Sequence, residues 1–581
     1  MDGFSIAITC FGLLTVLVGL YSGRGKPAIW FVAVAIGLYL SGVLTLGETL
    51  SGLTNEGVVT LAALLVIAHL VQQSGLLERP IENLLTRANG QRGGFINVLA
   101  PVAVISGFLN NTPIVSMLLH PVREWAIRRN TAPSRYLLPL SFAAIVGGTL
   151  TLVGTSTNLV VFGLLGDLNA EHSLSLLSPA WVGVPLVCLF LVYYSLSHRW
   201  LPNRTPTDTS SHGVTQFQIP AAIGRPLIGK TVEAAKLRNL KHGYLYRVRR
   251  GPEELLEATG ETHLKEGDIL IFLGAPQLVK ELSHIKGIDF PSGYSLSDAE
   301  PTHLVEAVVP LGSSLIGKTP KELGFRKRFG SVIVSIAHQT EQRYGKLGQY
   351  PLKAGDLLLL EALNNHTSSL PASELMVLNR YHNALPSNTR WRAYGLLAAF
   401  PIMVVGGSAL GLPLLNIALV FIGLALLIGL AQTSQLSAGL DLELFSILIG
   451  ALALARAIDK TGLADQVIQQ VAAVPLTPML AIAAIFAATW LVTELLTNNS
   501  AAALMLPFAL PLGQYYGLNV NQIAVTVMIG ASTSFITPFG YQTNLMVLSA
   551  GNYKPLDYVA YGLPLVAITG ITTTTMVHNF L

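Results

Sequence analysis

The chain has 581 residues, 51% of them hydrophobic and only 12% charged, with a formal net charge of +4. At a mean hydropathy of +0.54 it carries too little charge to cover a soluble particle of this length and too little net charge for a nucleic-acid partner, so it reads as an integral membrane protein. Cys10 and Cys188 both lie in apolar runs and read as small buried hydrophobes, which excludes a disulfide framework.

No positive region precedes the first apolar stretch, Phe4 to Ser22, which is therefore expected to be a retained span and not a cleaved leader. Spans are predicted next over Ala28 to Leu46 and Gly57 to Val71, where His69 reads as a helix-packing residue. Phe95 to Val122 is interrupted by Asn110-Asn111-Thr112, and each apolar arm is too short to cross a bilayer core of about 30 Å. It is predicted to be a re-entrant hairpin, residues 93–128. Tyr136 to Leu165 reads as a span broken at Gly154 to Asn158, and Pro179 to Leu196 closes a first repeat of residues 1–202.

Residues 391–581 repeat this plan. Spans are expected over Tyr394 to Ala409, Leu414 to Leu430 and Leu442 to Ile458, with Arg456 snorkelling from a span end. A second hairpin follows at 476–514, then a broken span, Ile523 to Leu548, and a last span, Tyr558 to Met576. Leu109-Asn110-Asn111-Thr112-Pro113 recurs as Thr497-Asn498-Asn499-Ser500-Ala501, and Gly154-Thr155-Ser156-Thr157-Asn158 as Gly540-Tyr541-Gln542-Thr543-Asn544. Upstream, Gly75 precedes Asn111 by 36 positions and Gly462 precedes Asn499 by 37, which pairs those two asparagines. Five crossings per half, about ten in all, give the halves opposite orientation, and corresponding broken segments in inverted repeats point to a transporter's binding site. Arg24, Arg79, Arg87, Arg92, Arg123, Arg128, Arg129 and Arg135 then fall inside and Glu48, Glu56 and Glu171 outside, which places both termini outside the cell.

Between the halves the sequence becomes charged and strand-like, as expected of a cytoplasmic insert. Leu227-Ile228-Gly229-Lys230-Thr231 matches Leu315-Ile316-Gly317-Lys318-Thr319 at a spacing of 88, which divides the insert into domains of residues 203–290 and 291–390. Both Gly-Lys-Thr runs satisfy the Walker A spacing from Gly224 and Gly312, but no crossover helix or Walker B strand accompanies them, so they read as turns.

Polar groups within hydrocarbon cost several kcal/mol each unless they face protein, water or a ligand, so the four breaks are candidate sites. Half-helices that start after Asn111 and Asn499 aim free N–H groups at an anion, and Thr112 and Ser500 add hydroxyl donors. No Lys or Arg lies in any break, so coupling cations would have to offset a dianion's charge. Glu494 is the one carboxylate beside a tip, read either as a cation or proton ligand or as a brace for the hairpin.

Phe108-Leu109-Asn110-Asn111-Thr112 and Thr493-Glu494-Leu495-Leu496-Thr497-Asn498-Asn499-Ser500 resemble the paired Ser-Asn-Thr hairpin motifs of the divalent anion:sodium symporter family, part of the ion transporter superfamily. The insert resembles a tandem pair of small α/β RCK-C (TrkA-C) domains. Together with Pro538-Phe539-Gly540-Tyr541-Gln542-Thr543-Asn544, this is similar to the family's sulfate-permease branch. The resemblance implies a polytopic inner-membrane homodimer working by an elevator motion, with one anion site between two sodium sites. Sodium is expected at Ser106, Asn110, Asn111 and Gly154, and at Thr497, Asn498, Asn499 and Gly540. The anion is expected at Asn111, Thr112, Thr155, Ser156, Asn499, Ser500, Tyr541 and Gln542, with Asn158 and Asn544 in support. The bulk of Tyr541 and Gln542 favours a compact tetrahedral dianion such as sulfate over a dicarboxylate, unless Tyr541 is an interface aromatic. The chain is then a symporter and not an enzyme, with sodium as coupling ion and no cofactor. The RCK-C pair would bind a nucleotide or ion, or serve as a dimer spacer. Alternatives are a dicarboxylate/sodium symporter, a sodium/proton antiporter, and a ligand-gated channel or sensor.

Overall fold

The computed structural model describes residues 3–21, 27–73, 95–167 and 174–204, most of 219–379 and, with short gaps, 395–581. Two compact units divide the chain: Met1–Asn203 with Asn383–Leu581, and Arg204–His382.

In the first unit the apolar runs are helical, the conformation that satisfies every backbone group within a segment. α1 (Gly3–Tyr21) and α2 (Pro27–Leu40) lead into a short α3 (Leu46–Leu50) and α4 (Glu56–Gln73). The second span thus ends before the expected Leu46, because Gly42 adopts a left-handed φ of 77° and Thr45 opens α3 with a capping box closed by Glu48. α5 (Ile96–Ser106) and α6 (Asn111–Arg128) form the first hairpin, α7 (Leu137–Gly147) and α8 (Ser156–Asp167) the first broken span, and α9 (Ala180–Ser197) follows.

The second half supplies α10 (Leu414–Leu427), α11 (Leu442–Thr461), α12 (Pro478–Leu495), α13 (Asn498–Tyr515), α14 (Val520–Ser532), α15 (Gln542–Ala550) and α16 (Pro555–Phe580). Helices recur 387 positions on, as with α2 at residue 27 and α10 at 414, and their packing recurs with them. α2 packs on α11 and α4 on α10; α6 packs on α15 and α13 on α8. The second half of each broken span therefore rests on the tip helix of the other repeat.

The length argument made for the first hairpin holds for its 11-residue arm α5 but not for its 18-residue arm α6, and it does not carry over to the second hairpin. Its arms have 18 residues each, about 27 Å at 1.5 Å per residue, so length does not forbid a crossing. It is a hairpin because extended Leu496 and Thr497 turn the chain and α13 packs back on α12. Among the described residues five segments are long and apolar enough to cross a membrane: Gly3–Leu20, Leu46–Ile67, Ala180–Ser197, Pro478–Leu495 and Pro555–Phe580. Large apolar side chains such as Phe11, Leu14, Leu196 and Leu427 lie exposed on these and neighbouring helices. Cys10 and Cys188 share such outer faces: both are exposed and free, which corrects the expectation of buried thiols.

In the second unit β1 (Ile219–Ile223), β2 (Gly243–Arg250), β3 (Glu254–Glu257), β4 (Ile269–Gly274) and β5 (Ile288–Asp289) make an antiparallel sheet in the order β3-β2-β4-β1-β5. β6 (Leu304–Val308), β7 (Ser331–His338), β8 (Glu341–Arg343), β9 (Leu357–Ala362) and β10 (Met376–Asn379) make another, ordered β10-β6-β9-β7-β8. Equivalent residues build the two cores: Leu227 and Leu315, Leu264 and Leu352, Leu270 and Leu358 are all buried. Gly229 (φ 84°) and Gly317 (φ 78°) donate their N–H groups to the Leu264 and Leu352 carbonyls, both at 2.8 Å, so both Gly-Lys-Thr runs are turns. The expected domain junction at 290–291, and the stretch from Ser74 to Glu78 around Gly75, lie outside the described residues.

Candidate functional site

Each hairpin tip is tied to its own broken span by the same bonds. The Ser106 hydroxyl lies 2.6 Å from Asn111 Oδ1 and 2.8 Å from the Ala144 carbonyl; the Thr493 hydroxyl lies 3.0 Å from Asn498 Oδ1 and 2.6 Å from the Ala531 carbonyl. All three positions match at the 387-residue offset. Asn158 Nδ2 donates to the carbonyls of Gly148 (3.3 Å) and Thr151 (2.9 Å), and Asn544 Nδ2 to those of Ser534 (2.8 Å) and Thr537 (3.4 Å). These carboxamides hold each break open by occupying the carbonyls that a continuous helix would use. The partner of Asn111 is therefore Asn498, and that of Thr112 is Asn499. The sequence pairing of Asn111 with Asn499 was one residue out of register.

At both sites the break supplies oxygen. A Cβ on Gly154 would come 2.5 Å from the Gly148 carbonyl oxygen and 3.0 Å from that of Gly107, whereas one on Gly540 would strike Ser534 Oγ and approach the Thr493 carbonyl oxygen at 3.2 Å. The Thr151 hydroxyl donates to the Gly107 carbonyl. Ser106, Asn111, Thr493 and Asn498 are all at least nine-tenths buried. Hydroxyl, carboxamide and carbonyl oxygens without imidazole or thiolate suit a hard monovalent cation better than a transition metal. Among the described residues no cluster of three His, Cys, Asp or Glu side chains could hold a metal.

The tips also cross to the opposite repeat. Asn111 Nδ2 donates to Tyr541 OH at 2.6 Å, and that hydroxyl lies 3.3 Å from Thr155 Oγ1. Thr112 donates to Gln542 Oε1 at 3.3 Å, while Ser156 and Thr157 both donate to Asn499 Oδ1 at 3.1 Å. The Ser141 hydroxyl, which sequence reading missed, donates to Asn544 Oδ1 at 2.7 Å. Asn111, Thr112, Thr155, Ser156, Asn499, Tyr541 and Gln542 thus meet in one network, with Ser500 buried beside them and 2.8 Å from Thr497 Oγ1. Tyr541, buried and hydrogen-bonded, is not an interface aromatic. Asn499 keeps company with the cross-repeat donors and not with the Thr493–Asn498 oxygens, and half-buried Asn110 lines a cleft with Phe108, Ser156 and Phe400 instead of joining Ser106.

Glu494 does what only one of its two readings required. Its carboxylate accepts from the N–H groups of Phe535 (3.0 Å), Ile536 (3.1 Å) and Thr537 (3.1 Å) and from the Thr537 hydroxyl (2.7 Å). Four donors on two oxygens brace the second break. The equivalent position in the first repeat is Gly107, whose carbonyl takes the matching Thr151 hydroxyl.

A model of the citrate transporter family matches residues 13–416 and 396–581. A Chlamydomonas reinhardtii protein named "Putative sulfur deprivation response regulator" is 31% identical over 92% of this chain and 95% of its own. Two others from that alga, named "Probable sodium/sulfate cotransporter 3" and "Sodium/sulfate cotransporter 1", are each 23% identical over 90% of this chain, covering 82% and 83% of their own lengths. The matched family and the two cotransporter relatives are transporters and not enzymes, in keeping with the motifs of the hairpin tips and the several apolar helices. The chain, a multi-pass membrane protein, belongs to the citrate transporter family, with divalent anion:sodium symporters among its relatives.

Proposed function

We propose that this protein is a sodium-coupled symporter that imports sulfate or a closely related divalent oxyanion. The observation that carries the reading is the crossed network of neutral donors at the two tips, Asn111 and Thr112 against Tyr541 and Gln542, Asn499 against Ser156 and Thr157. Neutral donors and helix N-termini can replace the hydration of a dianion, and nearby cations balance its charge. One sodium takes the oxygens around Ser106, Asn111 and Gly154, the other those around Thr493, Asn498 and Gly540. The names of the cotransporter relatives support both partners. The bulk of Tyr541 and Gln542 leaves room for a tetrahedral anion and little for a longer dicarboxylate.

An elevator motion fits the packing. The hairpins, broken spans, α9 and α16 pack among themselves, and α1, α2 and α11 do likewise, as do α4 and α10; α8 and α13 of the first set also lie along α4 and α11, the surface across which the first set would slide as a body. In this reading the protein is an inner-membrane homodimer with both termini outside. Its insert, two cytoplasmic RCK-C domains of residues 203–290 and 291–390, regulates transport by binding a nucleotide or ion.

The test is uptake of radiolabelled sulfate into proteoliposomes, with and without an inward sodium gradient, against competing thiosulfate, succinate and citrate. Sodium-driven sulfate uptake is expected. Uptake indifferent to the gradient would refute the coupling, and uptake of citrate or succinate in preference to sulfate would refute the substrate.

A further inference from the structure

The two halves of the network are equivalent in position but not in chemistry, and the differences all point the same way. On one side the tip of α6 meets the start of α15. Asn111 Nδ2 is taken up by the Tyr541 hydroxyl, Thr112 by Gln542, and the third residue of α6 is Pro113, which has no N–H to offer. On the other side the tip of α13 meets the start of α8. There Asn498 takes the place of Asn111, 6% exposed, with its Oδ1 bonded to Thr493 and its Nδ2 without a hydrogen-bond partner among the described residues. Thr155 stands where the symmetry puts Tyr541, too short to reach that Nδ2, and Ser156 stands where Gln542 would. Ser500, in place of Pro113, contributes both a first-turn N–H and a hydroxyl.

A buried carboxamide N–H₂ without an acceptor costs about 1–3 kcal/mol, so its partner is expected to be a ligand that accepts. A cation cannot fill that role and an oxyanion can. We infer that the anion binds off the pseudo-twofold axis, between the N-termini of α13 and α8, taking hydrogen bonds from Asn498 Nδ2, Asn499 and Ser500, with Thr155 making the space and Tyr541 closing the opposite side. The Thr155/Tyr541 pair is then the determinant of anion position and size. This rests on the symporter reading above.

Two substitutions test it by giving the open side residues that the filled side already carries: Thr155→Tyr and Ser500→Pro. Oxyanion uptake is measured in proteoliposomes, and the melting temperature with and without sodium reports whether each variant is folded and still binds cation. Each variant is expected to raise the KM for sulfate roughly tenfold or more, the loss of about one hydrogen bond, while its sodium response stays native. The native KM in either variant, with the sodium response intact, overturns the off-axis site but leaves the symporter reading standing. Absence of oxyanion uptake by the unaltered protein refutes both. Should one variant lose its sodium response, the other decides.

Discussion

Replacing Glu494 by Gln separates a brace from a cation ligand. In the native chain one carboxylate oxygen accepts from Phe535 and Ile536, the other from Thr537 N–H and Thr537 Oγ1. A glutamine oxygen can keep the first pair, but its N–H₂ then faces a buried N–H and a hydroxyl that each need an acceptor. Leaving one buried donor unsatisfied costs about 1–3 kcal/mol, so two such losses, eased by rotation of the hydroxyl, put E494Q at about 2–4 kcal/mol. Thermal unfolding of the purified protein in detergent should show a clear fall in Tm at every sodium concentration, and Thr537→Val a smaller one. The break also positions Gly540 and Tyr541, so uptake should fall along with stability. Unchanged Tm in E494Q, combined with a raised sodium requirement, would refute the brace and make Glu494 a cation ligand.

The corrected register separates neighbours at the second tip: Asn498→Ala, which removes both the Oδ1 beside Thr493 and the Nδ2 that faces the anion, should raise the sodium concentration needed for half-maximal uptake and the anion KM together, whereas Asn499→Ala should raise the anion KM with the sodium requirement little changed, each by roughly tenfold, the loss of one hydrogen bond or ligand. In the insert, burial pushes the Asp268 carboxyl up, but the bidentate Arg250 guanidinium and the Lys265 N–H outweigh it and hold the group below the ordinary carboxylate range. A depressed acid stabilises the fold above its unfolded pKa, and the benefit is lost as pH falls through the folded value. Arg250→Ala should therefore speed hydrogen exchange in β2 and β4 at neutral pH, with the difference from the native chain shrinking under acid conditions and β7 and β9 unaffected. Lys460 reaches Glu48 of the first repeat at 2.9 Å on an exposed surface. Such pairs contribute about 0–1 kcal/mol, so Lys460→Met should leave Tm nearly unchanged, and a large fall would mean the pair is shielded from water.

The repeat was legible because a polar pair inside an apolar run is costly and so stands out from its surroundings, as Asn110-Asn111 and Asn498-Asn499 do. The same feature misled the alignment. Both tips carry two adjacent asparagines, and matching the wrong members shifted the second tip by one. The spacing held the signal: Gly75 to Asn111 is 36 positions, and so is Gly462 to Asn498. Ser106 was found, but its counterpart Thr493 was passed over, since a threonine within an apolar helix can bond its own backbone and advertises nothing. Ser141 was hidden for the same reason. Its partner Asn544 lies 403 residues away, and no local pattern reports so distant a contact. The cysteines failed in another way: hydrophobicity marks a residue as out of water, and in a bilayer that includes the outer face of the protein.

The bonds between the tips and the opposite breaks join residues as much as 430 apart, Asn111 to Tyr541 and Thr112 to Gln542 among them. Synthesis therefore reaches the first tip long before its partners in the second repeat exist. By the time the insert emerges, the N-terminal repeat already holds the Asn111 N–H₂ and the Thr112, Ser156 and Thr157 hydroxyls without the acceptors that the second repeat supplies, and the first two stay so until α15 arrives. The nascent half-protein is thus expected to need these few donors shielded within the membrane for as long as the insert takes to translate. Pulse-chase of chains truncated before and after residue 542 should show the shorter ones degraded markedly faster, and equal lifetimes would show that the first repeat stands by itself.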